Sequence, residues 1–156
     1  MIIWLASYPK SGNTWVGHFL ASLIYSNQGK TGLEKLGFIM QYPKRDQFEK
    51  LVTNFDDFNQ IKKNWINSQN LINSDNKVKI FKTHHVLCSL GKDNFTDEKN
   101  TLGAIYIVRD PRNVISSILY HFNLSNIDEA LNFIQREEKF IGNVKNKVNY
   151  PLHTLI

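Results

Sequence analysis

The chain has 156 residues, of which 42% are hydrophobic and 21% charged, and its formal net charge is +5. This composition is that of a globular protein and excludes a disordered or fibrous chain, and the length predicts a single domain over residues 1–156. Cys88 is the only cysteine, which excludes an internal disulfide and favours a reducing compartment. The opening run MIIWLA is too short for a signal peptide or a membrane span, so we expect a cytoplasmic protein without membrane partners.

Apolar runs alternate with helical patterns along the chain. The predicted strands are 2–6, 78–83 and 103–108, and the predicted helices are about 13–25, 46–52, 56–72, 112–122 and 127–141. Nearly continuous apolar strands separated by helices favour an α/β fold, with a mostly parallel sheet between two helical layers. Ligands in such sheets bind beyond the carboxyl ends of the strands, and three polar motifs fall at those ends.

The first motif, SYPKSGNTW, links the first strand to a helix. A helix N-terminus presents free N–H groups, Gly12 lets a ligand approach the backbone, and Lys10 adds a positive charge. This pattern indicates an anion site, although an ordinary turn with a solvated lysine would look similar. Trp15 is either a core residue or a flat face for a purine ring. The further hydrogen-bond donors of the motif are Ser11, Asn13 and Thr14.

The second motif, KTHH, ends the second strand. Because side chains alternate along a strand, Lys82 and His84 share one face and Thr83 and His85 share the other. A histidine at this place can act as a general base at neutral pH, while two incidental histidines are the alternative. The scattered histidines and single cysteine show no metal-ligand spacing, so no metal site is predicted.

The third motif, VRDPRNVISS, places Arg109 at the end of the third strand and Ser117 eight residues later on a helix. Side chains of a helix lean towards its N-terminus, so both groups can meet one anion. The alternative is an ion pair between Arg109 and Asp110 or another nearby carboxylate.

Together these stretches resemble the sulfotransferase family that uses 3′-phosphoadenosine 5′-phosphosulfate (PAPS). YPKSGNTW is similar to the family's 5′-phosphosulfate loop, with Asn13 where threonine is common. KTH matches the strand motif with the catalytic base, and VRDPRNVISS matches the 3′-phosphate motif. The resemblance covers about residues 2–122, and it implies a P-loop-like three-layer fold.

The resemblance also implies roles for individual residues. Lys10 would contact the phosphosulfate bridge, Trp15 would stack on adenine, and His84 would take the proton of a hydroxyl or amine acceptor, with Lys82 assisting. The 5′-phosphate would be bound by Ser11, Gly12, Asn13 and Thr14. Arg109 and Ser117 would hold the 3′-phosphate, with His85 and Ser116 as substitutes for His84 and Ser117. The cosubstrate would be PAPS, the acceptor a small molecule or glycan, and no metal would be needed.

Other readings remain open. Family members carry a further Gly-rich, basic C-terminal segment that this chain does not match, so the fold is expected to be incomplete at its C-terminus. A catalytically incomplete PAPS-binding remnant or a regulatory protein is therefore the alternative function. A P-loop kinase is disfavoured because Asn13, and not lysine, follows Gly12. Nucleic-acid binding is disfavoured because the basic residues are dispersed.

Overall fold

A computed structural model describes residues 1–25 and 37–135, together with the backbone of 140–141 and 154–155. The helices are α1 (Asn13–Tyr25), α2 (Phe58–Lys63), α3 (Trp65–Ile72), α4 (Pro111–His121) and α5 (Ile127–Gln135). The strands are β1 (Ile2–Ser7), β2 (Met40–Gln41), β3 (Lys79–Thr83), β4 (Ser89–Leu90), β5 (Asp93–Asn94), β6 (Thr101–Ile107), β7 (Phe140–Ile141) and β8 (Thr154–Leu155).

The central sheet has the order β2-β3-β1-β6, and all of its strands are parallel. Trp4 of β1 lies beside Phe81 of β3 and Ala104 of β6, so these three side chains share one face. Two small antiparallel pairs, β4 with β5 and β7 with β8, lie outside this sheet. The expected α/β fold with a mostly parallel sheet flanked by helices is confirmed.

The main core fills the space between one face of the sheet and α2 and α3. Trp4, Phe81 and Trp65 are buried there, and the hydroxyl of Tyr42 donates or accepts a hydrogen bond with Ser68 at 2.7 Å. Burial raises the pKa of the Tyr42 phenol well above its usual range, so it stays neutral. A second, smaller cluster joins α4 to α5 through the side chains of Val114, Ile118 and Ala130.

Helix α1 packs against the opposite face of the sheet through its small residues. Its buried positions are Asn13, Gly17 and Ala21, which recur every four residues. A Cβ atom at Gly17 would lie 3.6 Å from the Leu5 side chain, so the helix backbone runs close to β1. The large apolar residues of this helix, including Phe19 and Leu23, are exposed in consequence.

Several predicted elements are wrong in detail. Residues 46–52 form a short 3-10 helix (Arg45–Gln47) and turns, and the helix predicted over 56–72 divides at Asn64 into α2 and α3. The last helix was predicted to reach residue 141, yet α5 ends at Gln135 within the described residues and Phe140–Ile141 is a strand. Ile127, the first residue of α5, is 59% exposed. No helix among the described residues is long and apolar enough to cross a membrane.

One side chain holds α1 to the ends of two strands. The amide nitrogen of Asn13 donates hydrogen bonds to the carbonyl oxygens of Leu5 in β1 (2.9 Å) and Thr83 in β3 (3.1 Å). The side chain is buried, so both acceptors are shielded from water. A carboxamide nitrogen carries two N–H donors, whereas a threonine hydroxyl at this position has only one.

The two histidines of the KTHH motif follow the end of β3 and lie in different surroundings. His85 is 6% exposed, and its ring stacks on Phe95 with the centroids 4.1 Å apart. Its Nδ1 lies 2.8 Å from the carbonyl oxygen of Val86, so Nδ1 carries the proton and donates. Burial lowers the pKa of His85 to about 4, and the hydrogen bond to Val86 opposes this only in part. His85 is therefore a neutral core residue at pH 7.

We expect Asn13→Ala to lower the free energy of unfolding by about 2 kcal/mol or more. The substitution removes a buried side-chain donor from the carbonyl groups of two strands, and loss of a buried hydrogen-bond partner costs about 1–3 kcal/mol. Urea unfolding followed by tryptophan fluorescence measures the effect. Thr14→Ala, at the adjacent exposed position, is the control. Equal stability of the two variants would show that the amide bridge contributes nothing.

We expect the stability to fall as the pH drops from about 6.5 to 4, and part of this loss to disappear in His85→Phe. The folded-state pKa of His85 is lowered to about 4, so the unfolded chain takes up the proton first on acidification. The full contribution is present above pH 6.5, and about 3 kcal/mol of it is lost at pH 4. The measurement is the difference in unfolding free energy between wild type and variant at each pH. Parallel curves for the two proteins would contradict the assignment.

Candidate functional site

The three polar motifs meet at one edge of the sheet. They follow β1, β3 and β6, which are neighbours and parallel, so their carboxyl ends lie side by side. A cavity of about 420 Å³ opens at this edge. It is lined by Pro9, Lys10, Gly12, Asn13, Thr14, Trp15, His84, Arg109, Ser117, His121 and Phe122. We call it the polar cavity.

The loop after β1 adopts a conformation suited to an anion. Lys10 has φ +67° and Gly12 has φ +104°, and the second value is one that L side chains rarely adopt. The amide of Val16 donates to the carbonyl of Gly12 at 3.0 Å, which starts α1 directly after this glycine. The N–H groups in the first turn of α1 therefore lie at the polar cavity, together with the positive end of the helix dipole.

Arg109 connects the third motif to the first. Its Nη1 donates a hydrogen bond of 2.9 Å to the carbonyl oxygen of Lys10. Asp110 instead pairs with Arg112, with 2.6 Å between Oδ2 and Nη2, and accepts a hydrogen bond from the Arg112 amide as the cap of α4. The ion pair between Arg109 and Asp110 is thus not formed. A guanidinium has five N–H donors, so Arg109 retains donors for a ligand.

The last residue of α4, His121, and the residue after it, Phe122, line the polar cavity although the sequence did not single them out. Ser117 lines the polar cavity, as do His121 and Phe122 at the end of the helix. Ser116 is exposed, and its hydroxyl lies 3.4 Å from the carbonyl of Arg112. The spacing of four residues from Ser117 to His121 places them on the same helix face, and this signal was available in the sequence.

Two predicted residues, Ser11 and Lys82, do not line the polar cavity, and a third, Asn13, lines it without directing its amide nitrogen into it. Ser11 is buried and lines a smaller depression of about 150 Å³ with Val108 and Pro111. The Asn13 side chain is directed to the strand carbonyls, so its backbone amide is the group available to a ligand. Lys82 is half-buried; burial lowers its pKa, and the charge of Lys44 lowers it further.

Trp15 lies at the rim of the polar cavity and is not a core residue. Its side chain is 73% exposed, and its ring is nearly parallel to that of Phe19, with 6.4 Å between the centroids. An exposed indole costs free energy unless something covers it. A flat aromatic ring can stack on such a surface.

His84 is held with one ring nitrogen bound and the other available. Its Nδ1 lies 2.8 Å from the carbonyl oxygen of Ser7 and 3.2 Å from the Ser7 hydroxyl. A carbonyl oxygen only accepts, so Nδ1 carries the proton and Nε2 has a lone pair. Burial lowers the pKa of His84, the bond to Ser7 opposes this, and the charges of Lys82 and Lys10 lower the pKa further. His84 is therefore an unprotonated base at neutral pH.

A second cavity meets the polar cavity at His84. It has a volume of about 340 Å³ and is called the apolar cavity here. It lies on the side of the sheet that bears Trp4 and the ring of Phe95. His84 lines both cavities.

The polar cavity is electrostatically suited to an anion. Lys10 and Arg109 contribute positive charge, and its lining includes no carboxylate from the described residues. Within residues 1–25 and 37–135, no group of three or more His, Cys, Asp or Glu side chains is placed to hold a metal ion.

Comparison with known proteins gives one family. The family model described as "Sulfotransferase domain" matches residues 2–151. No curated protein and no solved structure matches the chain. The match extends over nearly the whole chain, and it includes each of the three motifs that meet at the polar cavity. The chain belongs to the sulfotransferase domain family, whose members are enzymes that transfer sulfuryl groups.

Proposed function

We propose that this protein transfers the sulfuryl group of PAPS to a hydroxyl or amine acceptor, with His84 as general base. The observation that carries the proposal is the position of His84, which lines both the polar and the apolar cavity. A group transfer between two substrates needs a base at the point where they meet. Family membership supports sulfuryl transfer, and it accounts for small-molecule or glycan acceptors in general.

The residues of the polar cavity fit the donor. In this proposal the first-turn amides of α1, the loop at Gly12 and the Thr14 hydroxyl bind the 5′-phosphate. Arg109 and Ser117 bind the 3′-phosphate, and Trp15 stacks on the adenine ring. Ser11 takes no direct part here, because its amide donates to the carbonyl of Tyr8 at 3.2 Å and the residue lines the smaller depression. The support is the presence of these donors and cations around one cavity of nucleotide size.

The chemical step follows from the state of His84. Nε2 accepts the proton of the acceptor hydroxyl or amine as the oxygen or nitrogen of that group attacks sulfur. A new bond to sulfur forms while the bond from sulfur to the phosphate oxygen breaks, and 3′-phosphoadenosine 5′-phosphate (PAP) leaves with the negative charge. Lys10 stabilises that charge, and Lys82 assists at the sulfuryl group. A sulfuryl group carries less charge than a phosphoryl group, so we propose that lysines suffice without a metal.

We expect His84→Gln to reduce sulfuryl transfer by about 10²–10⁴-fold while PAP binding persists. Glutamine cannot take up a proton at neutral pH, and loss of a general base has this typical effect. Transfer from ³⁵S-labelled PAPS to a panel of acceptors and calorimetry with PAP measure the two quantities. If the wild-type protein binds PAP but transfers sulfuryl to no acceptor, the proposed activity is wrong and the protein is a nucleotide-binding protein without catalytic activity.

We expect Lys10→Ala to abolish PAP binding or turnover with little change in melting temperature. Lys10 lies in a loop and has a positive φ, a conformation that favours lysine no more than alanine. Replacing its side chain by alanine should therefore cost little stability. Lys63→Ala, at an exposed position of α2 outside both cavities, is the control. A large drop in melting temperature with unchanged PAP affinity would contradict the role of Lys10.

We expect the pH profile of kcat/KM to remain flat on the acid side until the pH falls below 6.5. The pKa of His84 is lowered, so the base stays unprotonated at pH values where an ordinary imidazole is already protonated. Activity is lost as the pH falls through this lowered pKa. The profile is measured in free enzyme at limiting substrate. An acid limb centred at or above pH 6.5 would exclude His84 in this environment as the base.

A further inference from the structure

We infer that Asn13 is a positioning residue, which keeps the proton of His84 on Nδ1 and so leaves Nε2 free as the base. This inference rests on the proposed function and names a residue that acts in the reaction without touching the reacting atoms. Asn13 opens α1, whereas His84 follows β3, so the two residues belong to different parts of the fold. Hydrogen bonds between the ends of two strands connect them.

The tautomer of His84 depends on a bond between these strand ends. Nδ1 lies 2.8 Å from the carbonyl oxygen of Ser7, the last residue of β1, while His84 follows the last residue of β3. The Ser7 hydroxyl lies 3.2 Å from Nδ1 and could donate to it once the bond to the carbonyl is lost. The proton would then lie on Nε2, which would turn the proposed base into a hydrogen-bond donor.

The Asn13 side chain bridges the same two strand ends. Its Nδ2 donates to the carbonyl oxygen of Leu5 at 2.9 Å, two residues before Ser7. It also donates to the carbonyl oxygen of Thr83 at 3.1 Å, one residue before His84. Asn13 and Thr83 are each 3% exposed, so water has little access to these bonds. One carboxamide therefore ties the segment that accepts the hydrogen bond from His84 to the segment that carries its ring.

The regular pairing of the strands ends just before the imidazole. The ladder between β1 and β3 ends at the pair Ala6 and Thr83, and His84 lies beyond it. The Thr83 hydroxyl accepts from the amide of His85 at 3.0 Å, a contact within one segment that does not link the strands. The Asn13 bridge thus reinforces the ladder at the point where it ends. A carboxamide nitrogen makes two such bonds at once, whereas a hydroxyl makes only one.

The test is Asn13→Thr, which keeps one donor but cannot bridge two carbonyl groups. We expect kcat for sulfuryl transfer to fall by about tenfold or more, because a small displacement of a catalytic group has this effect. KM for PAPS and the calorimetric affinity for PAP should stay close to the wild-type values, since residue 13 offers the nucleotide its backbone amide. A loss of PAP affinity equal to the loss of kcat would assign Asn13 to nucleotide binding and overturn the inference.

Asn73→Thr is the matched control. The Asn73 Nδ2 also makes two hydrogen bonds, to the carbonyl oxygen of Asn100 at 3.2 Å and to its side-chain oxygen at 2.7 Å. Asn100 directly precedes β6, so these bonds lie at the amino edge of the sheet, away from the polar cavity. The control loses comparable bonds and should keep the wild-type kcat.

The ¹⁵N NMR spectrum of the imidazole distinguishes positioning from a general loss of stability. At neutral pH, His84 should carry its proton on Nδ1 in wild type and in Asn73→Thr, whereas Asn13→Thr should populate the Nε2 tautomer. His84→Gln identifies the resonances. A protonated Nε2 in wild type, or an unchanged tautomer in Asn13→Thr, would overturn the role of Asn13. Asn13→Ser, with the same single donor and less bulk, replaces the threonine variant if that variant does not fold.

The two proposals can fail separately. Wild-type protein that transfers no sulfuryl group to any acceptor overturns the proposed function, while the spectra of the free protein still decide whether Asn13 sets the tautomer. Normal wild-type activity together with an unchanged kcat in Asn13→Thr overturns the positioning role alone.

Discussion

The two hydrogen bonds from the Asn13 side chain fix the arrangement on which the site depends. They join the start of α1 to the carbonyl groups of Leu5 and Thr83, one residue on each of two neighbouring strands. Thr83 directly precedes His84, so the same amide fixes the positions of the helix N-terminus and the proposed base relative to each other. The loop after β1 and the imidazole belong to segments about 70 residues apart in sequence. A buried carboxamide fixes their relative position. The conformation of the loop alone could not do this.

The adjacent residues His84 and His85 have different surroundings. His85 points into the aromatic core, where it stacks on Phe95 and its pKa falls to about 4. His84 points to the cavities, where its Nδ1 is bound to Ser7 and its Nε2 lone pair is retained. Both rings are neutral at pH 7, but only His84 lines the polar cavity. The choice between them therefore depends on backbone geometry more than on basicity, since a shift of one residue in register would exchange the two.

The parts of the fold set by local pattern could be predicted, and those set by distant contacts could not. The bounds of α1 follow from helical spacing, β1 follows from an apolar run, and β3 follows from the alternation of apolar and polar residues. Strand β2 has two residues and forms because they pair with Phe81 and Lys82. The local sequence does not predict this pairing. For the site, motif order predicted which strand ends converge, because parallel neighbours share an edge. The bridging role of Asn13 and the position of Ser11 outside the polar cavity depend on side-chain directions in a loop, which spacing does not determine.

The cations around His84 have a double effect in the proposed reaction. In the free protein burial lowers the pKa of His84, and Lys82 and Lys10 lower it further, since a positive imidazole near two ammonium groups is unfavourable. A bound donor with several negative charges acts in the opposite sense and would favour protonation of the imidazole, which would remove the base. Lysines that neutralise the donor thus also preserve the lone pair that accepts the acceptor's proton. After the transfer the imidazole is positive and the leaving phosphate is negative, so the products stabilise each other as the charge develops.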